Sequence, residues 1–265
     1  MKPASAKIKI ADTVFNFVSQ DKEQVRSVKR YKVFLSDERA DIKVFIRIKK
    51  TWRNNPRHSI LEVPSLNARE FSVKTRLFNA EIDFGKKTAH IEAGPNVGIL
   101  NILKFLSAIF LLRREGFLLH ASSVIRGGRA YTFFGPSGSG KTTVARLSEG
   151  PLLSDETTAI ALSGKKFRAY ATPFAGDFYG VKKNLSAPVK AIFLLRKDRE
   201  FAHKKMSRKD AVKYLFESVM VPVHGHDFTE SLFTVFERFL SDVPCYELYL
   251  RPEPELWRYV DEHFG

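Results

Sequence analysis

The sequence predicts an α/β fold in two parts, a smaller β-rich region over residues 1–93 and a larger core with a mixed sheet over 94–265. Three observations support this. In the first part polar and apolar residues alternate, as in Lys7-Ile-Lys-Ile10 and Asp41-Ile-Lys-Val-Phe-Ile-Arg-Ile48, the period of half-buried antiparallel strands. In the second part an apolar run, Tyr131-Thr-Phe-Phe134, feeds a glycine-rich turn that opens directly into helix-forming residues. Beyond that turn, strand-like and helix-like segments alternate to the C-terminus, the order that lays helices against a sheet.

Composition sets the outer bounds. With 265 residues, 44% of them apolar, the chain can build a full core without staples. Cys245 stands alone, which excludes an internal disulfide framework; it follows a proline and opens an apolar run, the setting of a small buried hydrophobe. The start, Met1-Lys-Pro-Ala-Ser-Ala-Lys7, lacks the apolar stretch of a signal peptide, so the cytoplasm is the expected compartment. The net charge of +15 is concentrated in two regions. Residues 1–60 carry fifteen Lys and Arg against six Asp and Glu, and residues 181–213 carry eleven against three. Such regions suit an anionic partner, whether acidic protein, nucleic acid or membrane surface; a solvated basic face with no dedicated partner gives the same composition.

Taken in order, the first part adds strands at 32–35, 71–77 and 88–91, with Asp83-Phe-Gly-Lys-Lys87 as a turn. Trp52-Arg-Asn-Asn-Pro-Arg-His58 is a basic loop whose tryptophan is read as a cover on the sheet. Residues 97–112 are nearly all apolar but too short to span a bilayer, and Lys104 sits in their middle. They predict a helix buried between the two parts, ended by Arg113-Arg-Glu-Gly116. A strand over 117–125 and the turn Arg126-Gly-Gly-Arg129 lead back into 131–134. Later come a hairpin around Ser163-Gly-Lys-Lys166 and a strand at 190–195. Helices follow at 208–219, capped by Ser207 with Asp210, and at 228–240, capped by Asp227 with Glu230. Phe233, Phe236, Phe239 and Leu240 recur at helical spacing and read as core. A strand at 245–250 and a last helix opened by Pro254 complete the chain. His224 and His226 share a loop and read as loop residues, not metal ligands.

The chemistry concentrates around the glycine-rich turn. Gly135-Pro136-Ser137-Gly138-Ser139-Gly140-Lys141-Thr142-Thr143 contains G-x-x-x-x-G-K-[ST], the P-loop pattern. Small residues there free consecutive backbone N–H groups to wrap phosphates; Lys141 would reach the β- and γ-phosphates, and the Thr142 hydroxyl would ligate magnesium. Metal support also needs a carboxylate nearby. The later apolar strand ends in Arg196, not an acid, which shifts the choice to Leu152-Leu-Ser-Asp155-Glu156; without the P-loop beside them, these would read as two exposed acids at a turn. His120 lies on the strand before the loop and, taken alone, reads as a satisfied core histidine.

His120, the 135–143 loop and the Asp155-Glu156 pair together resemble the catalytic core of HPr kinase/phosphorylase. Ala171-Thr-Pro-Phe-Ala-Gly176, Lys190-Ala-Ile-Phe-Leu-Leu195 and Pro254-Glu-Leu-Trp257 look like its later landmarks. The resemblance covers roughly 117–265 and implies a phosphoenolpyruvate carboxykinase-like fold. It is specific over 120–156 only, and three features differ. Glu156 stands where the family usually has a second Asp, the link from Lys141 to Asp155 is several residues shorter, and no Pro-Gly-Arg segment appears near the C-terminus. Phosphorylase activity and HPr as substrate are therefore not carried over.

What the resemblance implies is an ATP-dependent kinase with Mg2+ that phosphorylates a hydroxyl, a serine on a protein or peptide. Lys141 and the 135–143 backbone hold phosphates, Thr142 and Asp155 hold the metal, and a carboxylate of the acid pair, aided by His120, takes the hydroxyl proton. Apart from the resemblance, the basic 181–213 region offers Arg196 as a candidate cation for the transferring phosphoryl group. The acceptor would be a protein or peptide suited to the basic regions. A homo-oligomer is compatible with this reading. Nucleic acid is disfavoured, since no nucleic-acid motif accompanies the charge. Two other readings remain, a non-catalytic ATP-binding module and a nucleic-acid-linked ATPase.

Overall fold

The computed structural model describes residues 2–52, 68–176, 181–221, 225–251 and 253–265. It is a mixed α/β structure of two compact units, Met1–Arg113 with Val221–Ser231, and Arg114–Met220 with Leu232–Gly265.

The first unit holds β1 (Ala4–Ile10), β2 (Thr13–Ser19), α1 (Lys22–Lys29), β3 (Ile42–Ile48), β4 (Glu70–Lys74), β5 (Phe78–Asp83), β6 (Thr88–Ala93) and α2 (Ile99–Leu112). Its sheet runs β1-β2-β3-β6-β5-β4 and is mixed, with β2, β3 and β6 parallel. Alternation places Phe15, Phe17, Val44, Ile46, Ile82 and Ile91 on one face, all buried. The apolar helix α2 packs there through Phe110 on Phe15 (centroids 5.5 Å apart) and Phe105 on Phe78 (5.1 Å). Each such ring removes enough surface from water for about 1.5–3 kcal/mol.

The second unit holds β7 (Gly116–Arg126), β8 (Arg129–Phe134), α3 (Lys141–Arg146), β9 (Leu152–Ser154), β10 (Thr157–Ser163), β11 (Lys166–Tyr170), β12 (Ser186–Lys197), β13 (Ala202–Lys205), α4 (Arg208–Ser218), most of α5 (His226–Asp242), β14 (Cys245–Leu250) and α6 (Glu255–Phe264). Its sheet runs β11-β10-β7-β8-β12-β14-β13, with β9 paired to β7. β8, β12 and β14 are parallel, and the other pairs are antiparallel. One face carries Val124, Tyr131, Phe133, Phe193 and Leu195, buried against α3 and α6. The opposite face carries Phe117 and Phe167, which meet Phe236 and Phe239 of α5 edge-on at 5.0 and 5.1 Å. The second unit is thus a three-layer α/β/α body.

Several local expectations hold. The turn after β5 forms with Lys86 N donating to Asp83 Oδ1 (2.8 Å), Ser207 caps α4 through Asp210 N (3.1 Å), and Cys245 is buried. Trp52 half-covers the first sheet, its ring over Gly94 and its Nε1 donating to Arg76 O (3.2 Å). Residues 53–58 of that basic loop, and His224, lie outside the described residues. Others need correction. Residues 32–35 are a single 3-10 turn (Lys32–Phe34) after α1, with Leu35 making only a one-residue bridge to Ile8. Phe233 is 45% exposed, because the inward face of α5 runs through Leu232, Val235, Phe236 and Phe239; Leu240 is half-buried.

Candidate active site

Strand β7 organises the site. On one side it pairs with β8, Ala121 opposite Phe134; on the other it pairs with β10, His120 opposite Thr157, and with β9, Ser123 opposite Ser154. Ala121 N also donates to Glu156 O (2.9 Å). The chain therefore leaves β8 into the glycine-rich loop at the level of the sheet where Asp155 and Glu156 join β9 to β10. The two points lie two strand spacings apart, about 10 Å.

The loop is bent by glycines. Gly138 and Gly140 have φ of 74° and 104°, a region that side-chain-bearing residues avoid, and the space around both is open. Lys141 follows at 7% exposure, its Nζ donating to Gly135 O (2.9 Å) and Pro136 O (3.0 Å). Burial pulls its ammonium pKa below the ordinary lysine value, and the Glu156 carboxylate pushes the other way. The Ser139 hydroxyl is buried and has no hydrogen-bond partner among the described residues. Pro136, Ser137 and Thr143 are exposed, and Thr142 is half-buried.

The acids converge on Gly176. Asp155, 2% exposed, accepts from Gly176 N at 3.3 Å (Oδ1) and 3.2 Å (Oδ2). A Cβ on residue 176 would stand 3.1 Å from Glu156 Oε2 and 3.4 Å from Asp155 Oδ2. Ser154 Oγ accepts from Glu156 N (3.2 Å) and Thr157 N (2.8 Å), which fixes the turn that presents the pair.

Three further residues flank the loop, and of these only Ser122 had no sequence signal. Ser122 Oγ, fully buried, donates to Lys141 O (2.8 Å) and so ties the start of α3 to β7. His120, half-buried, shares that face of β7 by alternation. Trp257 Nε1 donates to Val144 O (3.3 Å), so α6 holds α3 from above. On the opposite face Thr158, Ser123 and Thr132 form a buried hydroxyl chain, with O–O distances of 3.0 and 2.7 Å. Arg196 lies on that opposite face, bonded to Glu247 (3.0 Å) and over the Tyr214 ring (4.9 Å). In the first unit, His226 gathers with Asp227 and Glu230, all exposed and within 4.8 Å.

Fold and site together define an α/β protein whose second unit carries a glycine-bent loop with a buried lysine and, on the other side of β7, two adjacent carboxylates, one of them bonded to Gly176 N. The chain belongs to the family of SynChlorMet cassette protein ScmC, whose profile matches residues 90–264. No curated protein matches it. Among solved structures, the Hpr(Ser) kinase/phosphatase from Coxiella burnetii is similar over 55% of this chain and 93% of its own, at 9% sequence identity and a TM-score of 0.35. No helix among the described residues is long and apolar enough to cross a membrane.

Proposed function

We propose that this chain is an ATP-dependent phosphotransferase that moves a γ-phosphoryl group onto a hydroxyl, with a serine of a protein or peptide as acceptor. The observation that carries the proposal is the placement, on either side of β7 at one level of the sheet, of the loop bearing Lys141 and the turn bearing Asp155 and Glu156. The residues fit a bound polyphosphate. The orphaned Ser139 hydroxyl and the open space over Gly138 and Gly140 leave donors and room where phosphate oxygens would lie.

Magnesium-bound ATP would supply the transferable group and neutralise charge on it; the rest falls to the chain's own residues. The 135–143 backbone and Lys141 bind phosphates, and Thr142 with Asp155 hold the metal. We assign metal support to Asp155 because Gly176 pins its carboxylate. Glu156, whose backbone O accepts from Ala121 N of β7, then takes the acceptor's proton, aided by His120 one residue earlier on that strand.

The test is transfer of labelled γ-phosphate to peptide and protein acceptors. Wild type is expected to label a serine and Lys141→Ala is not; absence of labelling by wild type on any hydroxyl, with ATP bound, would leave only a nucleotide-binding role. Gly176→Ala offers a milder check. Its methyl group would force Glu156 Oε2 to move by a few tenths of an ångström. Transfer is expected to fall by up to about 100-fold with the melting temperature nearly unchanged. A variant as active as wild type would show that the position of the pair is unimportant.

A further inference from the structure

The basic segment 181–213 is not used by the site described above. It supplies all of β12 and β13 and the start of α4. β13 ends the sheet of the second unit, paired on one side only, and all four of its residues are exposed. Its free edge can be read from the register. Met206 N donates to Cys245 O (2.9 Å), and Lys205 stands opposite Tyr246. Antiparallel pairs alternate between bonded and non-bonded, so Ala202 and Lys204 bond to β14 while His203 and Lys205 turn their N–H and C=O groups outward. Lys204, Lys205, Arg208 and Lys209 follow one another along this edge and onto α4, with Lys213 one turn further. No ion pair involves any of these five among the described residues; Glu247, opposite Lys204, is paired with Arg196, and Asp210 is bonded to Ser207.

We propose that β13 is the docking strand for an extended acidic segment of polypeptide, which adds to the sheet edge and places its acceptor hydroxyl at the phosphate loop. Unpaired backbone groups favour an extended chain over a helix or a globular face, and the lysines select for acidic side chains. The same lysines repel a second copy of this edge. The proposal rests on the phosphotransferase reading and specifies its acceptor.

The direction follows from topology. β14 is parallel to β12 and β12 to β8, with Leu194 opposite Phe134 and Arg196 opposite Tyr249. Ala202, opposite Tyr249, is therefore at the loop end of the sheet, and Lys205 is at the far end. An antiparallel guest runs from Lys205 toward Ala202, so its C-terminal continuation emerges beside the loop. A guest on the outer edge of β13 lies four strand spacings from β8, about 19 Å, which about six extended residues span. The favoured acceptor has a hydroxyl about six residues after an acidic stretch.

The probe is a fluorescein-labelled peptide of alternating glutamate and valine followed by a serine about six residues on, titrated by anisotropy without nucleotide at low salt. Lys204→Glu with Lys205→Glu is expected to weaken binding at least about tenfold. Lys209→Glu with Lys213→Glu, on α4 and clear of the strand pairing, is expected to weaken it in the same direction. N-methylation of alternate backbone amides in the peptide should also weaken it, since that blocks strand addition and leaves the charge. Binding that neither charge reversal alters, equal binding of the methylated peptide, or equal competition by oligothymidylate of the same length would each overturn the proposal. With ATP, phosphate is expected on the serine placed after the acidic stretch and not on one placed before it; the reverse preference overturns the assigned direction. Tight, charge-dependent binding with no transfer to any serine would leave the docking strand standing and remove the kinase reading.

Discussion

Asp155→Asn is expected to lower the rate of phosphoryl transfer by on the order of 10²- to 10³-fold, the range for loss of one group that stabilises charge in the transition state. The change keeps the shape of the side chain and one acceptor oxygen, so Gly176 N can still donate to it. What it removes is the charge that would face the metal and, beyond it, the transferring group. Stability should not fall with activity. Asp155 is 2% exposed, and replacing a buried carboxylate with a neutral amide removes a desolvation cost and leaves packing intact. Steady-state transfer and a thermal melt on one sample separate the two effects. Equal activity of Asp155→Asn and wild type would sink the metal assignment, and a collapsed melt would make Asp155 a structural residue instead. Glu156→Gln should also lose transfer but keep magnesium-dependent nucleotide binding. Glu156→Asp shortens the reach by one methylene and is expected to retain part of the rate.

How much of this could be read from the sequence depended on distance along the chain. The two-residue turn at Gly127 and Gly128, both at positive φ, was legible because hairpin turns are decided by their own residues. So were the Ser207 cap and the turn after Asp83, where donor and acceptor lie three residues apart. The loop over 135–143 was legible as a pattern and the acid pair as its neighbour in sequence. The supports were not. Ser122 reaches Lys141 across nineteen residues and Gly176 reaches Asp155 across twenty-one, contacts that exist only once β7, β8 and β10 are in register. A serine in an apolar strand and a glycine before a loop carry no mark of such partners. In the first unit, β2, β5 and α1 were missed for other reasons. Thr13-Val-Phe-Asn-Phe-Val-Ser19 is buried at most positions and shows weak alternation, and α1 is short with only Val25 and Val28 facing inward. Its signal was the cap, Asp21 accepting from Glu23 N at 2.9 Å.

Phenylalanine spacing shows the same limit and gives the largest expected change in stability. Phe193→Ala is expected to cost about 3–5 kcal/mol, and Phe233→Ala about 1 kcal/mol or less. Phe193 is fully buried on β12, stacked on Phe133 at 5.2 Å and met edge-on by Phe264 at 4.9 Å. Its loss empties a volume bounded by the sheet and α6, neither of which can collapse without breaking the β8–β12–β14 register. Phe233 is 45% exposed and leans on Phe216, with ring centroids 4.3 Å apart, so water already reaches the space it would vacate. Periodicity placed Phe233 on the same helical face as Phe236, but only the packing of α5 shows that the inward stripe turns toward Leu232 instead. Urea titration followed by Trp257 fluorescence, in a Trp52→Phe background, reads the second unit alone; equal midpoints for the two alanine variants would refute the packing described here. The loss should also reach the site. A Cβ on Gly135 would lie 3.4 Å from Leu195 O, two residues past Phe193, and Trp257 holds α3 through Val144 O. Loosening this core therefore frees the loop on both sides, and Phe193→Ala should weaken nucleotide binding while Phe233→Ala leaves it unchanged.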